Sequence, residues 1–167
     1  MAIDRTANLL GAAAQLVVDG QMVAIEDTTG LNPTEMAALI TIINEPDQPI
    51  DFLHKAIKRS HSATVRLVAK LVDRQLITKI QSAQDGRGMA LAATKSGEKL
   101  VASALRSRRS TLNGLLTFLS TDEQAMLDGL LAKLLAASVV DELNAYQICR
   151  YCDADACDVC PVEESFA

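Results

Sequence analysis

Cys149, Cys152, Cys157 and Cys160 stand in the pattern C-x2-C-x4-C-x2-C, followed by Pro161, and they are all four of the chain's cysteines. Each C-x2-C turn brings two sulfurs together with backbone N–H groups aimed at them. Four thiolates so close, beside Asp153, Asp155 and Asp158, repel one another unless a cation holds them; without one, the thiols stay protonated or pair as disulfides. Three readings stand open. An iron–sulfur cluster takes four Cys ligands, and a final Cys-Pro suits ferredoxin-type runs. A structural zinc ion takes the same ligands, although the two pairs lie closer together than in zinc ribbons and match compact knuckle-like sites better. Free thiols or reversible disulfides are the third. The segment is too polar for its cysteines to be core, so residues 148–167 read as a Cys-rich, metal-binding tail.

The second chemical feature is a basic block. Residues 50–99 carry ten Lys and Arg against four acids, a surplus of six, in a chain whose net charge is −5. The remainder is strongly acidic. Such a split is the footprint of one face built for phosphates on a body that is not. Net charge alone argues against nucleic acid; its distribution reverses that reading.

These residues need elements to position them. Residues 4–19 read as a first helix with Leu9, Leu10, Ala13, Leu16 and Val17 on one face, and residues 20–31 as a connector. Asn32 as cap, Pro33 at the first helical position and Glu35 after it open a second helix that ends by Glu45-Pro46. A short helix over 50–57, a turn over 58–60 with Ser60 as cap, and a helix over 61–74 make a helix-turn-helix. In that last helix Val65, Leu67, Val68 and Leu71 supply the apolar side, and Arg66, Lys70 and Arg74 form a basic stripe. Residues 76–83 alternate like a strand, 84–88 are a Gly-containing turn and 89–94 a return strand: a hairpin, or wing. Ser96 caps a long helix to about residue 119, and Thr121 with Gln124 opens a last one to about 147.

Composition bounds the rest. At 167 residues, 49% apolar and 3% aromatic, the chain reads as one mainly helical unit with extensions. No run of about 18 uncharged apolar residues occurs, and residues 7–18 lack the basic start of a signal peptide. The expectation is a cytoplasmic protein with no membrane segment.

The order of elements resembles the MarR family of bacterial transcription regulators. The likeness is carried by SHSATVRLVAKLVDRQLI (60–77), by DGRG (85–88) at the family's Asp-x-Arg wing tip, and by LAATKSGEKL (91–100), similar to its Leu-Thr-x-x-Gly element. Ala93 departs from it, where the family usually has Leu. The resemblance covers roughly residues 5–145. It implies a mainly α fold with a small β-hairpin wing (α+β). It also implies an obligate homodimer through N- and C-terminal helices, with residues 1–31 and 96–147 for dimerisation and 32–95 as the winged helix-turn-helix lobe. Such a dimer binds a pseudo-palindromic double-stranded operator, usually as a repressor, and is released by a ligand or an oxidant. The apolar cleft expected between dimer helices and lobe could take a small-molecule effector.

On that frame the recognition helix enters the major groove by its N-terminal end, where Ser60, His61, Ser62, Thr64 and Arg66 lie. Arg66 suits a bidentate contact to guanine; Ser62 and Thr64 reach bases or phosphates; Lys58, Arg59, Lys70 and Arg74 neutralise phosphates. Arg87 reaches the minor groove from the wing, oriented by Asp85. His54 is structural. The Cys-rich tail, following the last dimer helix, would sense redox state, iron or another metal. No nucleophile–base pair, phosphate loop or HExxH suggests an enzyme. The alternative is a helical dimeric interaction protein whose four-cysteine tail is a structural zinc clamp or a partner-docking element.

Overall fold

This computed structural model describes residues 2–83 and 88–165, with side chains from residue 4 onward. Seven α-helices and one two-stranded antiparallel hairpin follow one another among them: α1 (Ala2–Thr29), α2 (Pro33–Asn44), α3 (Ile50–Ala56), α4 (His61–Asp73), β1 (Ile77–Gln81), β2 (Met89–Ala93), α5 (Lys95–Leu116), α6 (Thr121–Ser138) and α7 (Glu142–Cys149), with a 3-10 turn at Ala154–Ala156. The fold is mainly helical with a small hairpin, a winged helix.

The core is built on α2, whose residues from Glu35 to Ile42 are all buried. A helix apolar nearly all round is a central one. Its entry is a capping box: the Asn32 side chain accepts from the Glu35 N–H at 3.0 Å, and the Glu35 carboxylate accepts from the Asn32 N–H at 3.1 Å. Leu31, Leu53, Val68, Leu71, Leu76 and Val101 close around it. Each such side chain, removed from water, contributes about 1.5–3 kcal/mol.

Four expected boundaries move. Helix α1 runs through the expected connector to Thr29 and ends on Gly30, whose φ of 61° suits its C-terminal turn. Thr94, not Ser96, caps α5, its hydroxyl accepting from the Gly97 N–H at 3.1 Å. Ser120, not Thr121, caps α6, with Glu123 completing the capping box. The last helix breaks at Val139-Val140-Asp141: two β-branched residues disfavour helix, and the Asp141 carboxylate accepts from the Asn144 N–H at 2.7 Å to start α7 afresh.

The C-terminal half of α1 lies along α5 through a polar seam. The Thr28 hydroxyl bonds to Ser107 at 3.0 Å, Ser107 donates to the Ala24 carbonyl at 3.1 Å and Arg108 donates to the Gln21 side chain at 2.9 Å. Elsewhere α1 carries exposed apolar side chains, and α6 buries none of its residues. By length and hydropathy alone α1 could cross a membrane; its polar seam shows that its second half packs on α5 instead.

Helix α7 docks on α3. Phe52 and Tyr146 meet edge-on with ring centroids 5.0 Å apart, and Gln147 donates to the Lys55 carbonyl at 3.1 Å. Tyr151 reaches the start of α2, donating to the Pro33 carbonyl at 2.9 Å. Burial, then its bond to Glu142, pushes the Tyr146 phenol up to about 12. Burial raises the Glu45 carboxyl, and Glu142 and Glu163 raise it further.

Two expectations follow. A Cβ on Gly97 would stand 2.2 Å from the Leu76 carbonyl oxygen, so Gly97→Ala must push α5 off the hairpin. It should cost about 3 kcal/mol, read as a lower urea midpoint. Glu45, with its folded pKa raised, favours the fold fully below its unfolded value and loses that contribution as pH rises through the folded one. Glu45→Gln should therefore match wild type in urea melts at pH 4 and exceed it at pH 7.

Candidate nucleic-acid interface

Helices α3 and α4 meet across residues 57–60. Helix α3 ends in a left-handed Lys58 at φ 54°, with the Arg59 N–H bonded back to the His54 carbonyl at 3.0 Å and the Lys58 N–H to Lys55 at 3.2 Å. Ser60 then caps α4 by accepting from the Ala63 N–H at 3.3 Å. At the other end of α4 the same motif recurs: Gln75 has φ 58°, and the Leu76 N–H returns to Leu71 at 3.0 Å. Helix α4 is thus bounded by two tight turns, neither of which contains glycine.

Its inward stripe is Thr64, Val68 and Leu71. This corrects two expectations. Thr64 is fully buried and its hydroxyl donates to the Ser60 carbonyl at 3.1 Å, so it faces the lobe's interior and not a groove. Val65, expected in the apolar side, is 42% exposed and stands on the outer face. That outer face also carries His61, Ser62, Arg66, Ala69 and Lys70, with Ser60 at its head, all exposed. His61 is held edge-on against His54 at 5.5 Å between ring centroids, and His54 Nδ1 lies 3.2 Å from the Arg59 carbonyl. His54 Nε2 also lies 3.3 Å from the Asp51 carboxylate.

The cations divide into two sets. Lys70 pairs with the buried Glu35 carboxylate. Arg74 donates to the Gly30 and Thr29 carbonyls at 3.3 and 3.4 Å, closing the C-terminus of α1. Arg59 donates to the Thr34 hydroxyl at 2.9 Å, and Lys55 to Asp51 at 2.7 Å, which holds the Asp51 carboxyl below its ordinary range. The side chains of Lys58, Arg66 and Lys79 make no hydrogen bond or ion pair among the described residues. Of the expected stripe, only Arg66 is uncommitted.

Strand β1 pairs with β2 from Ile77 opposite Ala93 to Gln81 opposite Met89. Asp47, itself at φ 62°, accepts from the Ala83 N–H at 2.9 Å and steadies the wing's outgoing strand. Asp85 and Arg87 lie outside the described residues.

The cysteines sit where α7 ends. The Cys152 N–H donates to the Cys149 carbonyl at 2.7 Å, closing a tight C-x2-C turn. Interaction with the Cys149 thiol pulls the Cys152 thiol down to about 6, and interaction with Cys152 pushes Cys149 up. Burial, then Cys160 and Cys152, raise Cys157. The donor set suits a thiophilic metal, but among the described residues no three His, Cys, Asp or Glu side chains converge closely enough to hold an ion. Asp153 beside them pairs with Arg109 of α5. Beneath that pair lies a cleft of about 560 Å³ between α2, α5 and the 3-10 turn, walled by Ile43, Val101, Leu105 and Arg106.

Residues 31–89 match the sequence profile of the MarR family. Among proteins of curated function, none matches this chain in sequence. Solved structures share the fold. RV1404 from Mycobacterium tuberculosis superposes with a TM-score of 0.74 at 22% identity, over 83% of this chain and 95% of that one. A MarR family protein from Bacillus stearothermophilus does so at 0.72 and 19%, over 80% and 92%. Streptococcus pneumoniae FabT, solved in complex with DNA, gives 0.66 and 19%, over 79% and 94%.

Proposed function

We propose that this chain is a MarR-type transcriptional regulator, a non-enzymatic cytoplasmic repressor that binds a pseudo-palindromic operator as a homodimer. One observation carries the reading: a capped, two-ended recognition helix presents Ser62, Val65 and the uncommitted Arg66 outward, beside a wing. The family match over residues 31–89 and the DNA-bound relative of the same fold support it. Arg66 reads guanine through O6 and N7, Val65 meets a thymine methyl, and Ser62 with the N-terminus of α4 takes a backbone phosphate. Lys58 and Lys79 add the electrostatic, salt-dependent share. The dimerisation region is residues 1–31 and 96–147, the DNA-binding lobe 32–95, and an effector enters the cleft under Asp153.

Fluorescence anisotropy with operator and scrambled duplexes tests the interface. Arg66→Ala should lose about 1–3 kcal/mol for operator, roughly five- to 150-fold in affinity, with the fold unchanged. Arg74→Ala should lower the melting temperature and leave the salt slope alone, because Arg74 serves α1. Binding that ignores both salt and Arg66 would refute the assignment.

The dimer rests on the apolar faces that α1 and α6 leave exposed, among them Leu16, Met126, Leu130 and Leu134. Sedimentation should give twice the chain mass. Leu130→Asp with Leu134→Asp should shift it to one chain and abolish tight operator binding; a wild type that sediments as a monomer at micromolar concentration would sink the dimer.

A further inference from the structure

The segment after α7 is fastened at both ends and nearly coreless between them. Tyr151 is bonded to Pro33 and packs against the lobe's core, and Val162 is buried. From Ala154 to Val159 every residue is exposed, and Asp153 contributes a single ion pair to α5. Hydrophobic burial cannot hold such a stretch, and small elements of this kind are ordinarily held by a cross-link or a metal. The same segment carries a matched set of soft ligands. The Cys152 N–H, bonded to the Cys149 carbonyl at 2.7 Å, closes a C-x2-C turn at the end of α7, the other C-x2-C pair follows on the same short segment, and of the four cysteines only Cys157 is exposed. The stretch from Ala154 to Val159, which separates Cys152 from Cys160, has no buried side chain to resist a gathering of the sulfurs.

We propose that Cys149, Cys152, Cys157 and Cys160 form a tetrathiolate site for one thiophilic metal centre, and that the bound metal staples the C-terminal segment across the winged-helix lobe and α5. Four Cys ligands serve either a zinc ion or an iron–sulfur cluster. Binding deprotonates the thiols, neutralises part of the charge that Asp153, Asp155 and Asp158 add nearby, and turns its free energy into order of the segment. The staple acts through three anchors already in place: Gln147 on α3, Tyr151 on α2 and Asp153 on α5.

The test uses the full chain, purified without air and assayed for zinc, iron and sulfide, then stripped, reduced and titrated with zinc(II) alone against a chromophoric chelator. About one zinc per chain identifies the single ion; iron with matching sulfide and a broad band near roughly 400 nm identifies the cluster; either supports the site. The variant with all four cysteines as serine should lose the metal. Cys157→Ser, at an exposed position, should keep the helical circular dichroism and melting of the lobe yet weaken zinc about tenfold or more. Metal removal should speed protease cleavage within residues 153–159 about tenfold or more. Reduced wild type that takes up no more zinc than the four-serine variant overturns the site, and unchanged cleavage in metal-loaded and metal-free protein overturns the staple. Metal content is read without DNA, so its failure is separable from failure of the regulator reading.

Discussion

The structure turns on one close approach, the Leu76 carbonyl against the first turn of α5. Thr94 donates its N–H to that carbonyl at 3.0 Å, and its hydroxyl donates to Gln75 at 2.7 Å while accepting from Gly97. Three elements converge on this point: the end of α4, the start of β1 and the start of α5. Gly97 leaves no Cβ in the way, and the Leu39 side chain lies just behind, so the joint is also packed against α2. The angle between α4 and α5 is therefore fixed by backbone contacts, which cannot slacken as side chains can. The hairpin and the exposed side of α4 inherit their geometry from it.

Electrostatics then distributes work among the cations. A stripe of Arg66, Lys70 and Arg74 has the spacing of a solvent-facing face, but two of its members are used within the fold. The reason is local demand. The end of α1 leaves the Thr29 and Gly30 carbonyls without helical partners, and Arg74 meets them. Glu35 is buried to serve the Asn32 cap, and a buried carboxylate needs a cation, which Lys70 supplies. Arg66 faces no such demand, which leaves it available to a ligand. Charge counts overstate the free basic surface for this reason.

The same locality explains what could be read in advance. The Asn32-Pro33-Glu35 start, the short α3, the Ser60 cap and the hairpin were legible because each is specified by neighbouring residues. Three features were not. The turns at Lys58 and Gln75 lack the glycine that normally marks a left-handed residue; tertiary packing of Ile57 and Leu76 imposes them. The exchange of Thr64 for Val65 on the buried stripe is a shift of one residue in helical phase, invisible where both neighbours are β-branched. Adjacent candidates for a cap, Thr94 against Ser96 and Ser120 against Thr121, are chemically equivalent, and only the chain path selects between them. At the tail the ligand types and spacing were plain, while their arrangement depends on how α7 docks.

Helix α6 raises the last physical question, because it has caps and no core. Its 18 residues are secured at the start by Ser120 and Glu123, whose carboxyl is held down by those bonds, yet none of its side chains is buried. Isolated helices of that length are marginal in water, and helix stability in proteins comes mainly from packing an apolar face. Met126, Leu130 and Leu134 recur at helical spacing, each more than half exposed. The exposed stretch of α1 presents a second such surface. Under the proposed homodimer, the exposed apolar faces of α6 and α1 would draw their stability from a second copy of the chain across a two-fold axis. Folding of this part and association would then be one equilibrium, so the lobe, which has its own core, and the helical arm, which does not, would differ in how their stability depends on concentration.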